Sequence, residues 1–200
     1  RSATIGGFIA GGSGGVGSVR WGFLRDPGHL LGLEVVTMEQ EPRVLQLEAS
    51  DAEALNHAYG TNGIITALRL ATALRVDWQE VVVDCPDWAT AVELARRCSS
   101  AAIDLHLCTV LEAAVVELLP TWDLPPRRSD RLLLLVAPDA VSTVQRLAAD
   151  MGAVLTHLGA EADRQGNGLR ELSWNHTTLH LRQREPDWTY LQILLPQPEI

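Results

Sequence analysis

The sequence predicts an α+β protein made of two parts, and three observations lead to this expectation. The chain has 200 residues, which suits one large domain or two small ones, and 46% of them are hydrophobic. Glycines and short β-like runs dominate the chain up to about residue 76. Beyond it, strand-like and helix-like segments alternate. We therefore expect one unit over residues 1–76 and a second over residues 77–200.

Short apolar runs separated by turn-forming residues predict three strands in the first part. These strands are expected at 30–38, 43–49 and 63–74. The segment 51–60 predicts a short helix, because Asp51 stands where a helix begins and Gly60 where one ends.

The second part predicts strands at 80–85, 102–109, 132–138, 153–158 and 189–196, and helices at 88–98, 110–120, 139–151 and 169–184. Trp88, Val92 and Ala95 are expected on the apolar face of the first of these helices, with Ala91 and Cys98 as further candidates. The order β-α-β followed by β-α-β resembles a split, ferredoxin-like sheet with helices on one face. The second part is therefore predicted to be a ferredoxin-like domain.

Charge and composition exclude several classes of function. The formal net charge of −9 argues against nucleic-acid and anionic-membrane partners. No apolar run approaches the roughly 20 residues that span a bilayer, so no membrane span is expected. The three cysteines are odd in number and form no C-x-x-C pair, which indicates free thiols in the reducing cytoplasm.

The most unusual segment is residues 4–22, "TIGGFIAGGSGGVGSVRWG", in which eight of nineteen residues are glycine. Its "GSGGVG" matches G-x-G-x-x-G, but a dinucleotide-binding turn needs a strand before it and an amphipathic helix after it. Gly22 and Pro27 interrupt the residues after this motif, so we reject that interpretation. A flexible linker is the simple alternative. The interleaved apolar residues favour an ordered loop whose bare backbone lies against a flat ligand or another segment.

Four stretches of the chain together resemble one family. They are the glycine segment, "LGLEVVT", "HAYGTNGIIT" and, near the end of the chain, "LSWNHTTLHLRQREPDWTYLQ". In this order they resemble the FAD-linked oxidases of the vanillyl-alcohol oxidase and p-cresol methylhydroxylase type, and most closely the FAD subunit of glycolate oxidase. The resemblance covers almost the whole chain.

The resemblance implies that FAD binds between two α+β subdomains under a cap domain. Residues 1–76 would then be the second FAD subdomain and residues 77–200 much of the cap. Along the pyrophosphate and ribityl part of FAD we expect Thr4, Gly6, Gly7 and Ala10. Near the flavin we expect Gly14, Gly17 and Ser18. Backbone groups in the G-I-I-T turn would come from Gly63, Ile64 and Ile65.

The first FAD subdomain of this family precedes the T-I-G-G stretch and is not part of this sequence. We therefore expect the chain alone to be inactive and to retain FAD weakly or not at all. Its absence should expose the "TIGGFIA" edge and the strands beside it, so self-association, or disorder of residues 1–20, is expected.

His176, in "WNHTTLH", is the candidate catalytic residue. A neutral histidine near a flavin could take the hydroxyl proton of a small 2-hydroxy acid such as glycolate or D-lactate while hydride passes to the ring. The alternative is a structural hydrogen bond. His176 and His180 are spaced i, i+4, but no third ligand accompanies them, so no metal site is expected.

Two other functions remain open. The chain could be a non-catalytic FAD-binding subunit of a larger oxidase. Alternatively, the ferredoxin-like part could be an interaction or regulatory module, with the glycine segment packed on a partner chain instead of on FAD.

Overall fold

The computed structural model describes residues 4–12, 15, 18–119, 129–161, 168–169, 175–189 and 191. The chain divides into two compact units, Arg1–Arg75 and Val76–Ile200. Each is described by itself.

Unit 1 is built on a three-stranded antiparallel sheet in the order β2-β1-β3. Its strands are β1 (Leu30–Val36), β2 (Val44–Glu48) and β3 (Ile64–Leu70). Val35 of β1 lies opposite Leu45 on one side and Ile65 on the other. The three predicted strands are confirmed, although each is shorter than expected.

Short helices surround this sheet: α1 (Ile5–Gly11), α2 (Ser18–Trp21) and α3 (Ala49–Ala52). A single 3-10 turn, Glu53–Leu55, follows α3. The predicted helix over 51–60 is therefore too long. The backbone leaves the helical region at Asn56, which is extended, and His57 and Tyr59 then take positive φ angles of 62° and 53°.

The glycine segment is not a loop throughout, and "TIGGFIA" is not a sheet edge. Residues 5–11 form α1, because both ends of this glycine-rich helix are capped. The Thr4 hydroxyl accepts the N–H of Gly7 at 3.1 Å, and Gly12 ends the helix with a φ of 58°. Ile9 is 1% exposed and packs in the core of unit 1 with Leu33 and Val35. Burial of Ile9 offsets the poor helix propensity of the glycines.

In the residues that the structure describes, unit 2 contains a four-stranded antiparallel sheet and four α-helices. In chain order they are β4 (Gln79–Cys85), α4 (Trp88–Ser100), β5 (Leu105–Leu111), α5 (Ala113–Leu118), β6 (Asp130–Val136), α6 (Val141–Asp150), β7 (Val154–Ala160) and α7 (Asn175–Arg184). The strand order is β5-β6-β4-β7, and all neighbours are antiparallel. Two β-α-β halves thus interleave, which confirms the ferredoxin-like prediction.

Two local predictions in unit 2 are wrong, and a third is not tested. The predicted helix over 110–120 begins too early, because β5 continues to Leu111 in register with Arg131. Trp88 lies at the first position of α4 after the N-cap Asp87 and is exposed, so the buried face consists of Ala91, Leu94 and Cys98. The predicted strand at 189–196 and the start of the predicted helix at 169–184 lie mostly outside the described residues.

The sheet of unit 2 is buried on both faces, not only on the face that carries α4 and α6. Val81, Val83 and Cys85 pack with those helices in the main core. Alternate residues point to the other face, where Val82 and Leu133 are also fully buried. An unbroken apolar strand such as 132–136 follows from this two-sided burial.

The second face also buries charge. Asp84 and Arg131 are register partners on β4 and β6, and the Arg131 guanidinium donates from Nε to Asp84 Oδ1 at 2.8 Å. Both side chains are less than a tenth exposed. Nearby on β4, the buried carboxylate of Glu80 accepts the N–H of Leu169 at 2.9 Å. Within the described residues, no helix is long and apolar enough to cross a membrane.

Removing one member of the buried Asp84–Arg131 pair should lower the stability of unit 2 far more than removing both members. We expect Arg131→Met to lower the free energy of unfolding of unit 2 by about 3–5 kcal/mol, because a buried carboxylate loses its counter-charge. Asp84→Leu combined with Arg131→Met should recover most of that loss. Urea unfolding followed by tryptophan fluorescence measures both effects. Arg96→Met, which breaks the exposed Glu93–Arg96 pair, is the control and should leave unfolding unchanged. Equal losses for the single and double variants would contradict this expectation.

The three thiols should react slowly with alkylating reagents in the folded chain. Burial raises the pKa of Cys98 to about 12 and that of Cys85 to about 11, and it also raises the pKa of Cys108. Because the thiolate is the reactive form, iodoacetamide at pH 8 should modify the native chain slowly and the urea-unfolded chain rapidly at all three positions. Tandem mass spectrometry of tryptic peptides distinguishes the sites, with fragment ions separating Cys98 from Cys108, which share one peptide. Rapid labelling of Cys85 or Cys98 in the native chain would show that the core of unit 2 opens readily.

Candidate functional site

Helix α1 with its N-cap carries the predicted binding residues of 4–10, and the start of β3 carries those of 63–65. The fold of unit 1 brings these two groups together. The side of α1 that carries Gly6 faces Ile65. A methyl group added at Gly6 would lie 3.8 Å from the Ile65 carbonyl oxygen and 3.9 Å from its Cβ, which is ordinary contact. Residues almost sixty positions apart in the sequence therefore share one surface.

The exposed side of α1 offers backbone with little side chain over it. Thr4 and Gly7 are exposed, and a Cβ added at Gly7 would meet only the Thr4 hydroxyl, at 3.1 Å. Ala10 is half-buried, and its carbonyl accepts the N–H of Tyr59 at 2.8 Å. The helix has no acidic residue in its first turn and no basic residue in its last. A ligand carrying negative charge would therefore meet no carboxylate on this helix.

The three residues 63–65 differ in burial: Gly63 is buried, and the two isoleucines, which begin β3, are exposed and half-buried. Gly63 is buried with a φ of 149°, and an added Cβ would lie 2.5 Å from Val35 Cγ2 and 2.8 Å from the Val36 carbonyl oxygen. Glycine is thus required here for packing as well as for conformation. Ile64 is 61% exposed, and Ile65 is half-buried beside α1. Both isoleucines pair with β1, so only backbone groups directed away from that ladder are available to a ligand.

The structure describes only some of the remaining predicted site residues. Ser18 begins α2, where its hydroxyl accepts the N–H of Gly15 at 3.2 Å. Gly14 and Gly17 lie outside the described residues. His176 lies in the first turn of α7 in unit 2, and its side chain is outside the described part of the structure. Across the residues that are described, no group of three or more His, Cys, Asp or Glu could hold a metal ion.

The sequence analysis did not identify His57 and Tyr59, which lie next to these binding residues in the segment 57–60. The amide of His57 donates to the Ile9 carbonyl at 3.0 Å, and its ring lies directly over Gly12. The hydroxyl of Tyr59 lies 2.8 Å from His57 Nε2. These residues stand immediately before "GTNGIIT", so their position next to that motif was the available signal.

Comparison with known proteins identifies the fold. No family model matches the sequence, and no curated protein matches it. Two crystal forms of alkyldihydroxyacetonephosphate synthase match with TM-scores of 0.66 and 0.67 at 17% identity; each match covers 91% of this chain and 38% or 37% of the synthase. A glucooligosaccharide oxidase of Acremonium strictum, described for a novel flavinylation, matches with a TM-score of 0.50 at 15% identity, over 79% of this chain and 33% of the oxidase.

By their names these neighbours are a synthase and an oxidase, and the description of the oxidase refers to its flavinylation. The predicted α+β fold is confirmed as one that occurs in these proteins. At such low identity the likeness establishes the fold alone. The chain spans between a third and two fifths of the length of these neighbours.

Two glycines in the same turn provide a matched test of the packing at this site. Gly60 and Gly63 both have positive φ, but a Cβ at Gly60 would meet open space. We expect Gly60→Ala to destabilise unit 1 by about 1–2 kcal/mol from backbone strain alone, and Gly63→Ala by about 2–4 kcal/mol because of the added clash. Amide hydrogen exchange of β1 and β3 reports the difference. Equal losses of stability for the two variants would mean that Val35 and Val36 move aside without an energetic cost.

Proposed function

We propose that this chain forms part of an FAD-dependent oxidoreductase. Residues 1–76 would be the second part of its FAD-binding domain, and residues 77–200 would be the cap over the substrate. The observation that carries this proposal is the contact between Gly6 of α1 and Ile65 of β3. This contact brings together α1 and β3, the two segments that the family resemblance assigns to one cofactor.

The described residues fit a dinucleotide with a planar ring. Bare backbone on the exposed side of α1 permits close approach, and the uncharged stretch 4–12 does not repel phosphates. Thr4 would offer a hydroxyl, and Ile64 an exposed apolar side chain. The fold of the structural neighbours supports the same cofactor.

A bound flavin would supply the acceptor for hydride removed from the substrate. The chain's own contribution would be to hold the cofactor on α1 and β3 and to take the hydroxyl proton at His176 in the first turn of α7. We propose a small 2-hydroxy acid such as glycolate or D-lactate as substrate. This part of the proposal is supported by the sequence resemblance alone, because the neighbours' names refer to other substrates.

We further propose that another protein segment, equivalent to the first FAD subdomain, completes the site. Contacts from α1 and β3 cover only one side of a cofactor that binds between two subdomains. When that segment is missing, exposed apolar side chains such as Ile5, Phe8 and Ile64 favour self-association.

A titration with FAD tests the proposal. The chain is titrated alone and after co-expression with the upstream segment of its gene, and flavin fluorescence and the visible spectrum are recorded. We expect tight binding only with the upstream segment, followed by bleaching of the flavin on addition of a 2-hydroxy acid. Binding without bleaching by any 2-hydroxy acid would favour a non-catalytic FAD subunit. No binding in either form would reject the flavoprotein proposal in favour of an interaction module.

A variant pair shows whether binding occurs on α1. Gly7→Leu adds a side chain to the exposed side of the helix, where it should block the cofactor without a clash in the core. Ser50→Leu places the same side chain at an exposed position of α3 and is the control. We expect roughly tenfold weaker FAD binding for Gly7→Leu, from the loss of about 1.4 kcal/mol of contact, and no change for the control. Equal affinities would place the cofactor elsewhere.

A further inference from the structure

His57 and Tyr59 hold an unusual backbone conformation beside the proposed cofactor site. With Ala49, they are the non-glycine residues with positive φ in the part of the chain that the structure describes. Their amides donate to the last turn of α1, His57 to the Ile9 carbonyl at 3.0 Å and Tyr59 to the Ala10 carbonyl at 2.8 Å. The Ile9 carbonyl also accepts the N–H of Gly12 at 3.0 Å, so the His57 amide adds a second bond to the end of the helix.

The backbone bonds do not explain why the residues are histidine and tyrosine. Glycine would make the same two amide bonds in this conformation with less strain, and asparagine would also be tolerated better than tyrosine. Non-glycine residues held in such conformations concentrate at functional sites. The backbone conformation therefore does not account for histidine and tyrosine at these positions, and a function of their side chains would.

The two side chains form a fixed pair. The His57 ring lies so close to Gly12 that an added Cβ there would be 2.3 Å from His57 Cγ. His57 Nε2 and the Tyr59 hydroxyl are 2.8 Å apart, and the ring centroids are 5.0 Å apart at 52°. Tyr59 is nevertheless 72% exposed. A large aromatic ring is thus held in one orientation while most of its surface faces solvent.

The pair also connects both halves of the proposed site. On one side it is bonded to Ile9 and Ala10 at the end of α1, and on the other the chain runs directly into Gly63 and Ile64. An exposed aromatic ring that is oriented in advance offers a stacking surface for a planar heterocycle at low entropic cost.

We propose that Tyr59 packs against a planar ring of the bound dinucleotide and that His57 is a positioning residue that orients it. This inference rests on the proposed function, because it needs FAD to bind unit 1. The isoalloxazine ring and the adenine share the required chemistry, and the experiment distinguishes them.

Asparagine substitutions separate the side chains from the backbone conformation. Tyr59→Asn and His57→Asn keep a residue that tolerates positive φ but remove the rings. Ala49→Asn introduces the same residue at the other positive-φ position and is the control. Each protein, co-expressed with the upstream segment, is titrated with FAD, FMN and ADP. Hydrogen exchange of α1 verifies that the helix is intact.

We expect Tyr59→Asn to bind FAD roughly tenfold more weakly, in line with the stacking of one base on an aromatic side chain. Ala49→Asn should bind like the wild type. A matching loss for FMN assigns Tyr59 to the isoalloxazine, and a matching loss for ADP assigns it to the adenine. Wild-type binding of FAD by Tyr59→Asn would overturn this inference and leave the proposed function intact. Failure of the wild type to bind FAD would overturn both.

The positioning role of His57 has its own readout. If His57 acts through the Tyr59 hydroxyl, His57→Asn should weaken FAD binding in the wild type but have little further effect in a Tyr59→Phe background, where that hydroxyl is gone. Additive losses in the double variant would show that His57 acts independently of Tyr59, and the positioning role would be wrong.

Discussion

The hydrogen bonds from the amides of His57 and Tyr59 to the last turn of α1 are the constraint on which unit 1 depends. A seven-residue helix with three glycines has little intrinsic stability. Caps at Thr4 and Gly12, these two amide bonds and the burial of Ile9 together hold it against the sheet. Without them, the bare backbone of α1 would not lie beside Ile65, and the surface that we assign to a cofactor would not exist.

Glycine has two different uses at this surface. At Gly12 and Gly63 it is needed because neighbouring atoms occupy the space of a side chain and because φ is positive. At Gly7 it is not needed for packing, since a side chain there would point into open space apart from the Thr4 hydroxyl. Packing alone therefore leaves Gly7 unexplained, whereas the proposed approach of a ligand to the helix backbone would account for it.

Unit 2 depends on another principle, the two-sided burial of an antiparallel sheet. The interleaved strand order places β4 and β6 at the centre, where Val82 and Leu133 are covered as fully as Val81 and Leu132. The buried Asp84–Arg131 pair fixes the register of these strands, because a slip by one residue would separate the two charges in an apolar environment.

The sequence by itself determined the order of strands and helices and the ferredoxin-like topology of unit 2. Strands such as 80–85 and 132–136 are apolar without interruption, and Asp87 marks the start of α4, so local pattern was sufficient. The sequence also grouped the glycine segment with "GTNGIIT" through a family resemblance. Tertiary structure alone decided that the glycine segment begins as a helix, because Ile9 is buried by residues distant in sequence. It also decided that 57–59 leaves the helical region, and that His57 and Tyr59 meet Gly12 and α1. These features depend on contacts across more than twenty residues, and local propensity contains no information about them.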